Sequence, residues 1–228
     1  MGRGARPVYP ETGLVDQPCS KVVTPAALKH LSTIDPVMRR LIQDFGPCGL
    51  VPETRRSPFQ SLVLAVAHQQ LNGTAANTIL TRFKKLFPGR RFPQPENLAG
   101  VTDEQIRACG FSFAKIASIR DIAAKTMAGV VPTSRQIVKL SDDEIIERLT
   151  EVRGVGRWTV EMLLIFQLGR SDVLPADDFG VRNGFRAAYK KRDLPAVKGL
   201  LAFGERWRPH RTTAAWYLWL AADAAKKK

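Results

Sequence analysis

The stretch from Leu149 to Asp178, LTEVRGVGRWTVEMLLIFQLGRSDVLPADD, constrains the fold more than any other part of the chain. Its pattern predicts the end of one helix, a tight turn at Gly154 and Gly156, a strongly apolar second helix, and an exit through Pro175 to two carboxylates. Glycines at alternate positions permit a tight turn and the close approach of another molecule, because they lack a Cβ. The turn amides and the N-terminus of the second helix together predict a site for an anion such as phosphate.

Two arginines flank this turn, Arg153 before it and Arg157 after it, and Val155 separates the two glycines. Their positive charges reinforce the preference for an anion. A lone Gly-X-Gly turn is usually no more than a tight corner. The longer order of helix, GVGRWT, apolar helix and LPADD is far more specific.

The net charge of the chain indicates the kind of partner it binds. A formal charge of +14 over 228 residues, with a pI near 10.2, favours a polyanion, although an inert basic surface gives the same number. A hydrophobic content of 44% is ordinary for a globular protein, organised as one large domain or as two small ones sharing a cleft. The sequence contains neither an amphipathic anchor nor an apolar run long enough to span a bilayer, so we expect no membrane partner. No signal-peptide pattern opens the chain, which favours a cytosolic or nuclear location.

Cysteine and histidine spacing predicts no metal framework. The cysteines are odd in number and widely scattered, which indicates reduced thiols and excludes a cluster held by four neighbouring cysteines. The histidines have no zinc-ligand spacing. The residues concerned are Cys19, Cys48, Cys109, His30, His68 and His210.

Helix-start signals dominate the rest of the chain, and no convincing alternating strand interrupts them. Capping residues precede a proline in three places, and two further segments have the spacing of a capping box. These signals are Thr24-Pro25, Asp35-Pro36, Ser57-Pro58, Thr102 with Gln105, and Ser141 with Glu144. Apolar residues recur at helical spacing after Pro58 and again after Lys115. The sequence therefore predicts an all-α fold.

Two motifs resemble a known family. Leu149–Leu164 resembles the helix-hairpin-helix of base-excision DNA glycosylases (the HhH-GPD superfamily), and LPADDFGVRNGF resembles its Gly/Pro-rich loop ending in an aspartate. GRWT after the hairpin makes the match closest to the 3-methyladenine DNA glycosylase II branch. Weaker similarity runs from Pro58 to the C-terminal helix. The resemblance implies two helical subdomains flanking a DNA-binding cleft, and the same hairpin residues then become DNA contacts.

The resemblance also implies domain boundaries. We expect an irregular arm at residues 1–20, a discontinuous subdomain at 21–56 and 165–228, and a continuous subdomain at 57–164. The helix-hairpin-helix is expected at 141–167.

Breaking an N-glycosidic bond requires an anion beside a sugar with oxocarbenium character, and the base must first be flipped out of the duplex. The resemblance assigns the catalytic carboxylate to Asp178, the second acid of the pair. Asp178 also suits a helix N-cap, and the two roles are compatible. Asp177 is expected to be a plain cap or a surface charge.

The walls of a base pocket come from the same resemblance. Trp158 and Met162 lie one turn apart on one helix face, although core packing alone would explain an aromatic residue there. Trp158 stands where glycosylases that also cut the backbone carry a Schiff-base lysine, which implies a monofunctional enzyme. His210, in WRPHR, falls where the family has another pocket aromatic.

The wedge that fills the vacated stack is assigned to Gln70 in HQQLNG, with Gln69 and Leu71 as alternatives. An ordinary helix C-terminus is the competing interpretation. The segment Phe111–Lys115 either contacts the opposite strand, with Lys115 as a DNA contact, or contributes its aromatic residues to the core.

No cofactor is expected to be required, and no iron–sulfur cluster is expected. The backbone carbonyls of Thr150, Val152 and Val155 fall where relatives bind a monovalent cation, Na⁺ or K⁺, that bridges to phosphate.

We therefore predict a monofunctional DNA glycosylase that removes alkylated purines from double-stranded DNA in base excision repair. It is expected to act as a monomer, in the cytoplasm or nucleoid of a bacterium or in a eukaryotic nucleus. Two alternatives stay open. One is a non-enzymatic helix-hairpin-helix module that only grips the DNA backbone, and the other is a sister glycosylase for uracil or mismatched bases.

Overall fold

A computed structural model describes residues 22–226, and the arm predicted for residues 1–20 lies outside the described residues. Within 22–226 the chain forms helices joined by short loops, with no strand, which confirms the all-α prediction. The α-helices are α1 Pro25–Ile34, α2 Pro36–Phe45, α3 Pro58–His68, α4 Gly73–Lys85, α5 Asp103–Ala108, α6 Phe113–Met127, α7 Ser134–Ile137, α8 Asp142–Thr150, α9 Arg157–Phe166, α10 Phe179–Ala188, α11 Val197–Gly204 and α12 Arg211–Ala225. Two 3₁₀ turns, Pro95–Gly100 and Glu205–Trp207, lie between them. No described helix is long and apolar enough to cross a membrane.

The predicted helix starts are confirmed by their hydrogen bonds. Thr24, Asp35 and Ser57 each accept a backbone N–H of the following helix, with proline at its first position. Both predicted capping boxes close in each direction, at α5 and at α8. These caps satisfy amides that would otherwise lack partners in the first turn, which explains why local sequence marks the helix starts reliably.

The chain divides into two compact units, and the first is Arg55–Leu163. In this unit α6 packs against α3, α5 and the 3₁₀ turn Pro95–Gly100. Phe83 is fully buried and makes edge-to-face contacts with Phe87 and Phe111. Such contacts add to the apolar area that drives this core together.

The second unit comprises residues 22–54 and 164–226, so the division falls inside α9. Here α12 is buried along most of its length and packs on α10 and α2. At Gly184 in α10, an added Cβ would lie 1.8 Å from the carbonyl oxygen of Leu218, so only glycine permits this close helix packing.

A buried carboxylate, Asp35, ties three segments of the second unit together. Its Oδ1 accepts the amides of Val37 and Met38 at the start of α2. Its Oδ2 accepts the Tyr189 hydroxyl at 2.6 Å and the Trp207 indole N–H at 3.0 Å. Burial, and then the hydrogen bond to Asp35, raise the pKa of the Tyr189 hydroxyl. Both oxygens of this carboxylate are thus held by donors from the protein.

Candidate active site and DNA-binding hairpin

The hairpin lies between α8 and α9. Its two glycines are accounted for by different features of the structure. Gly154 has a φ of +77°, and a Cβ there would lie 2.5 Å from the Ser118 hydroxyl, so the fold itself requires glycine. Gly156 is not in the left-handed region, and a Cβ there would meet no protein atom within 4 Å among the described residues. Its missing side chain leaves the first turn of α9 open to a partner.

The amides of the hairpin are not equally available to a phosphate. The Arg153 amide donates to Asp121 Oδ2 at 2.7 Å, and the Val155 amide donates to the Val152 carbonyl at 3.0 Å. The Gly154 and Gly156 amides have no acceptor within residues 22–226. An anion at the start of α9 would therefore meet these two amides, and not the whole turn as the sequence suggested.

The two flanking arginines differ as well. Arg157 is ion-paired with Glu161 one turn along α9, with 3.0 Å between Nε and Oε1, while most of its side chain stays exposed. Arg153 is exposed. Neither position conflicts with the predicted contact to DNA backbone, and that contact stays a prediction.

Asp178 is the N-cap of α10, as predicted, and it is only 5% exposed. Its Oδ1 accepts the Val181 amide at 2.8 Å and the Trp219 indole N–H at 2.8 Å. The Asp178 amide donates to the Pro175 carbonyl, which turns the chain into the helix. Asp177, in contrast, is exposed. The structure therefore separates the two acids of LPADD into a buried, oriented carboxylate and a surface charge.

Sequence reasoning missed Trp219, which lies 41 residues from Asp178 along the chain. Its ring also stacks on Phe166, with 5.7 Å between centroids and 28° between planes. A Cβ on Gly180 would lie 2.8 Å from Trp219 Cδ1 and 3.0 Å from Asp178 Oδ1. The glycine two residues after Asp178 therefore makes room for the indole, and it was the one sequence signal that pointed to such a neighbour.

Trp158 and Met162 both lie on α9 with intermediate burial, so neither is a fully enclosed core residue. His210 immediately precedes α12 and packs edge-to-face on His30, with 5.3 Å between ring centroids. Burial and the nearby His30 lower the pKa of His210, against an opposing effect of Asp172. A neutral imidazole is therefore favoured at neutral pH. The role of all three predicted residues in a base pocket stays a prediction.

The predicted wedge turn follows α3, and its three candidates occupy distinct positions. Gln69 is the C-cap of α3, and its side-chain amide donates to the Gly154 carbonyl at 2.9 Å. Gln70 is exposed, with a φ of +58° that is unusual for a residue with a Cβ. Leu71 is half-buried. Only Gln70 combines exposure with a side chain for which residues 22–226 provide no hydrogen-bond partner.

Lys115 turns its ammonium toward the protein, and its predicted contact with DNA stays a prediction. Its Nζ donates to the carbonyls of Ala67 at 2.9 Å and Gln69 at 2.7 Å. The two aromatic residues nearby also separate, because Phe111 is buried whereas Phe113 is 70% exposed beneath the Arg107 guanidinium. The core interpretation thus holds for Phe111 and is wrong for Phe113.

Within residues 22–226, no three acidic, histidine or cysteine side chains come together as a metal site. The hairpin backbone is the remaining candidate for a cation. Two of its carbonyls are occupied by side chains, Glu151 by Lys125 and Gly154 by Gln69. Neither belongs to the predicted set of Thr150, Val152 and Val155, although the Val152 carbonyl already accepts the Val155 amide.

The structure combines an all-α fold, a glycine hairpin between α8 and α9 with two open amides, and a buried aspartate that caps α10. These are the features expected of a helix-hairpin-helix protein with a catalytic aspartate. The chain belongs to the HhH-GPD superfamily of base excision DNA repair proteins, whose profile matches residues 63–209. The resemblance stated from the sequence is therefore confirmed.

Within that superfamily the chain is similar to proteins named for alkylated bases. DNA-3-methyladenine glycosylase 1 of Schizosaccharomyces pombe is 44% identical over 199 residues, covering 86% of each chain. The solved structure of S. pombe 3-methyladenine DNA glycosylase Mag1 in complex with abasic DNA matches with a TM-score of 0.77 at 45% identity, over 85% of this chain and 95% of that one. A DNA-3-methyladenine glycosidase from Bacillus halodurans matches with a TM-score of 0.80 at 34% identity, over 90% and 92%.

Proposed function

We propose that this chain is a monofunctional DNA glycosylase that excises alkylated purines, of the 3-methyladenine and 7-methylguanine type, in base excision repair. The observation that carries the proposal is the buried carboxylate of Asp178, held at the N-terminus of α10 by the Val181 amide and the Trp219 indole. The names of the relatives supply the lesion class.

The chemistry assigned to Asp178 is electrostatic. As the base leaves, positive charge develops on the sugar, and a carboxylate already in position stabilises it without reorganising. The same group can orient or deprotonate the attacking water. Two donors on Oδ1 fix the plane of the carboxylate before the reaction begins. We expect no Schiff-base intermediate, because Trp158 has no amine with which to attack the sugar.

The lesion preference follows from the leaving group and from the proposed pocket residues, Trp158, Met162 and His210. 3-Methyladenine and 7-methylguanine carry positive charge, so they leave without prior protonation. An indole face at Trp158 adds cation–π attraction of about 0.5–2 kcal/mol. We therefore expect cationic alkylpurines to be released faster than neutral bases such as hypoxanthine.

The hairpin is proposed to hold the DNA backbone through the Gly154 and Gly156 amides, assisted by the charges of Arg153 and Arg157. These contacts read phosphate and carry no sequence information. We further propose that the set of three carbonyls named above holds Na⁺ or K⁺, because backbone carbonyl oxygens suit a hard cation. When bound, the ion would screen repulsion between those oxygens and the phosphate.

Single-turnover excision on a panel of defined lesions, in one buffer, tests this function. We expect rapid release of 7-methylguanine, slow release of hypoxanthine, and intact abasic DNA that is nicked only after alkali treatment. Borohydride should trap no covalent complex. Preference for uracil or a mismatched base would favour a sister glycosylase. DNA binding without release of any base would favour the non-enzymatic module. Light scattering of the purified chain, alone and with one duplex, tests the proposed monomer.

A further inference from the structure

The turn that carries Gln70 has an unusual backbone that something must hold in place. α3 ends at His68, and the next residues leave the helix through Gln69 and the left-handed Gln70. A residue with a Cβ occupies that region only when its surroundings enforce it. The last carbonyls of a helix also lack partners within the helix itself.

Lys115 supplies those partners. It lies in the first turn of α6, and its Nζ bridges the carbonyls of Ala67, inside the last turn of α3, and Gln69, just beyond it. A cation in the first turn opposes the dipole of its own helix, so this position does not serve α6. Burial lowers the pKa of the Lys115 ammonium. Burial also lowers the pKa of the adjacent His68 imidazole, and the charge of Lys115 lowers it further. Its charge is therefore directed at the end of α3.

The other side of the same turn is tied to the hairpin. The Gln69 side chain donates to the Gly154 carbonyl, and Gly154 packs against Ser118, which lies one turn along α6 from Lys115. The helix α6 therefore supports both the turn and the hairpin, within one compact unit.

We infer that Lys115 is a positioning residue that fixes the Gln69–Gln70 turn so that Gln70 enters the stack while the hairpin holds the phosphate. The inference rests on the proposed function, because Gln70 acts only where a base is flipped. Lys115 does not touch the reacting atoms. Losing it should therefore impair insertion of the wedge and leave chemistry on an already unpaired lesion intact.

The readout is the ratio of single-turnover rates for 7-methylguanine opposite cytosine and opposite thymine. Lys115→Met keeps an unbranched side chain only one atom shorter and removes its donors. We expect the rate on the cytosine pair to fall at least about tenfold, the equivalent of one lost charge-assisted hydrogen bond. The rate on the mispair should fall no more than about threefold, because extrusion costs less there.

Three further variants separate positioning from charge and folding. Lys139→Met removes the same charge from an exposed site in the same unit and should leave the ratio unchanged. Lys115→Arg keeps donors on a cation and should recover most of the ratio. Should Lys115→Met fail to fold, Gln69→Leu cuts the link to Gly154 from the other end and should change the ratio in the same direction.

A second measurement does not depend on excision. In a duplex with 2-aminopurine opposite a tetrahydrofuran abasic analogue, insertion of the wedge should raise the fluorescence for the native chain and less for Lys115→Met. If the native chain releases no 7-methylguanine, the proposed function fails, while the fluorescence still tests Lys115. Equal loss on paired and mispaired lesions, or a fluorescence rise equal to that of the native chain, would overturn the inference.

Discussion

Replacing Asp178 with asparagine isolates its charge from its structural role. Asparagine is as good an N-cap as aspartate, and its single Oδ1 can accept both the Val181 amide and the Trp219 indole. The side chain is nearly isosteric, so the substitution leaves no cavity in this 5% exposed site. Asp178→Ala would be a poorer probe, because it also removes the cap.

Two magnitudes follow from this geometry. Weakening hydrogen bonds from charged to neutral should cost about 1 kcal/mol of unfolding free energy. Losing a positioned charge at the transition state should cost about 3–4 kcal/mol, or roughly 10²–10³ in rate, by analogy with the removal of one oxyanion-hole donor. The catalytic loss should therefore greatly exceed the loss of stability.

Single-turnover release of 7-methylguanine measures the rate, urea unfolding measures stability, and binding to an abasic-analogue duplex measures affinity. Affinity should be retained or improved, since a carboxylate near the DNA is removed. Asp177→Asn, on the adjacent exposed acid, is the matched control and should excise normally. Asp178→Asn that excises at the native rate would refute the catalytic assignment and leave only the cap.

The remaining predictions concern DNA binding by the hairpin, the wedge, the base pocket and the core. Gly154→Val should lower both the melting temperature and the DNA affinity, because its Cβ would meet Ser118. Gly156→Val should keep the melting temperature and weaken binding to all sequences alike. Native DNA affinity in Gly156→Val would show that the hairpin is only a turn in the chain and not a DNA contact. Gln70→Ala should slow a paired lesion more than a mispaired one, and equal slowing would move the wedge elsewhere. Trp158→Leu should slow cationic lesions most, since leucine has no π face, and a uniform loss across the lesion panel would count against the pocket assignment. Asp35→Asn should lose at least about 2 kcal/mol of unfolding free energy, because one amide cannot satisfy the cap and two buried donors together, and urea unfolding measures it.

Features set by neighbouring residues could be predicted from the sequence. The caps at Thr24, Asp35, Ser57 and Asp178 each involve an amide two or three residues ahead, so the pattern is contained in a short window. The same holds for the glycine hairpin, whose left-handed Gly154 is a property of one turn. The all-α fold follows from the accumulation of such windows.

Contacts between distant segments could not be predicted in this way. Trp219 reaches Asp178 across 41 residues, and Trp207 reaches Asp35 across 172. A single hydrogen bond of this kind leaves no periodicity and no spacing rule in a sequence. The contacts of Lys115 follow the same rule, because the two carbonyls that its ammonium reaches belong to residues 46 and 48 positions away along the chain.

The two buried aspartates of the second unit show why the residue pattern alone does not identify the catalytic acid. Asp35 and Asp178 are 3% and 5% exposed, each caps a helix, and each accepts an indole N–H. At Asp35 the protein's donors engage both oxygens, so the carboxylate has a structural role. At Asp178 the Val181 amide and the Trp219 indole both donate to Oδ1, so this acid is distinguished by its place in LPADD, the segment that resembles the family's loop, and not by its hydrogen bonds. The catalytic assignment therefore predicts contrasting outcomes for the same substitution. Asp35→Asn should lose mainly stability and keep the rate of its folded fraction, whereas Asp178→Asn should lose far more rate than stability. If both variants lost mainly stability, Asp178 would be a structural residue like Asp35, and another residue would have to supply the catalytic carboxylate.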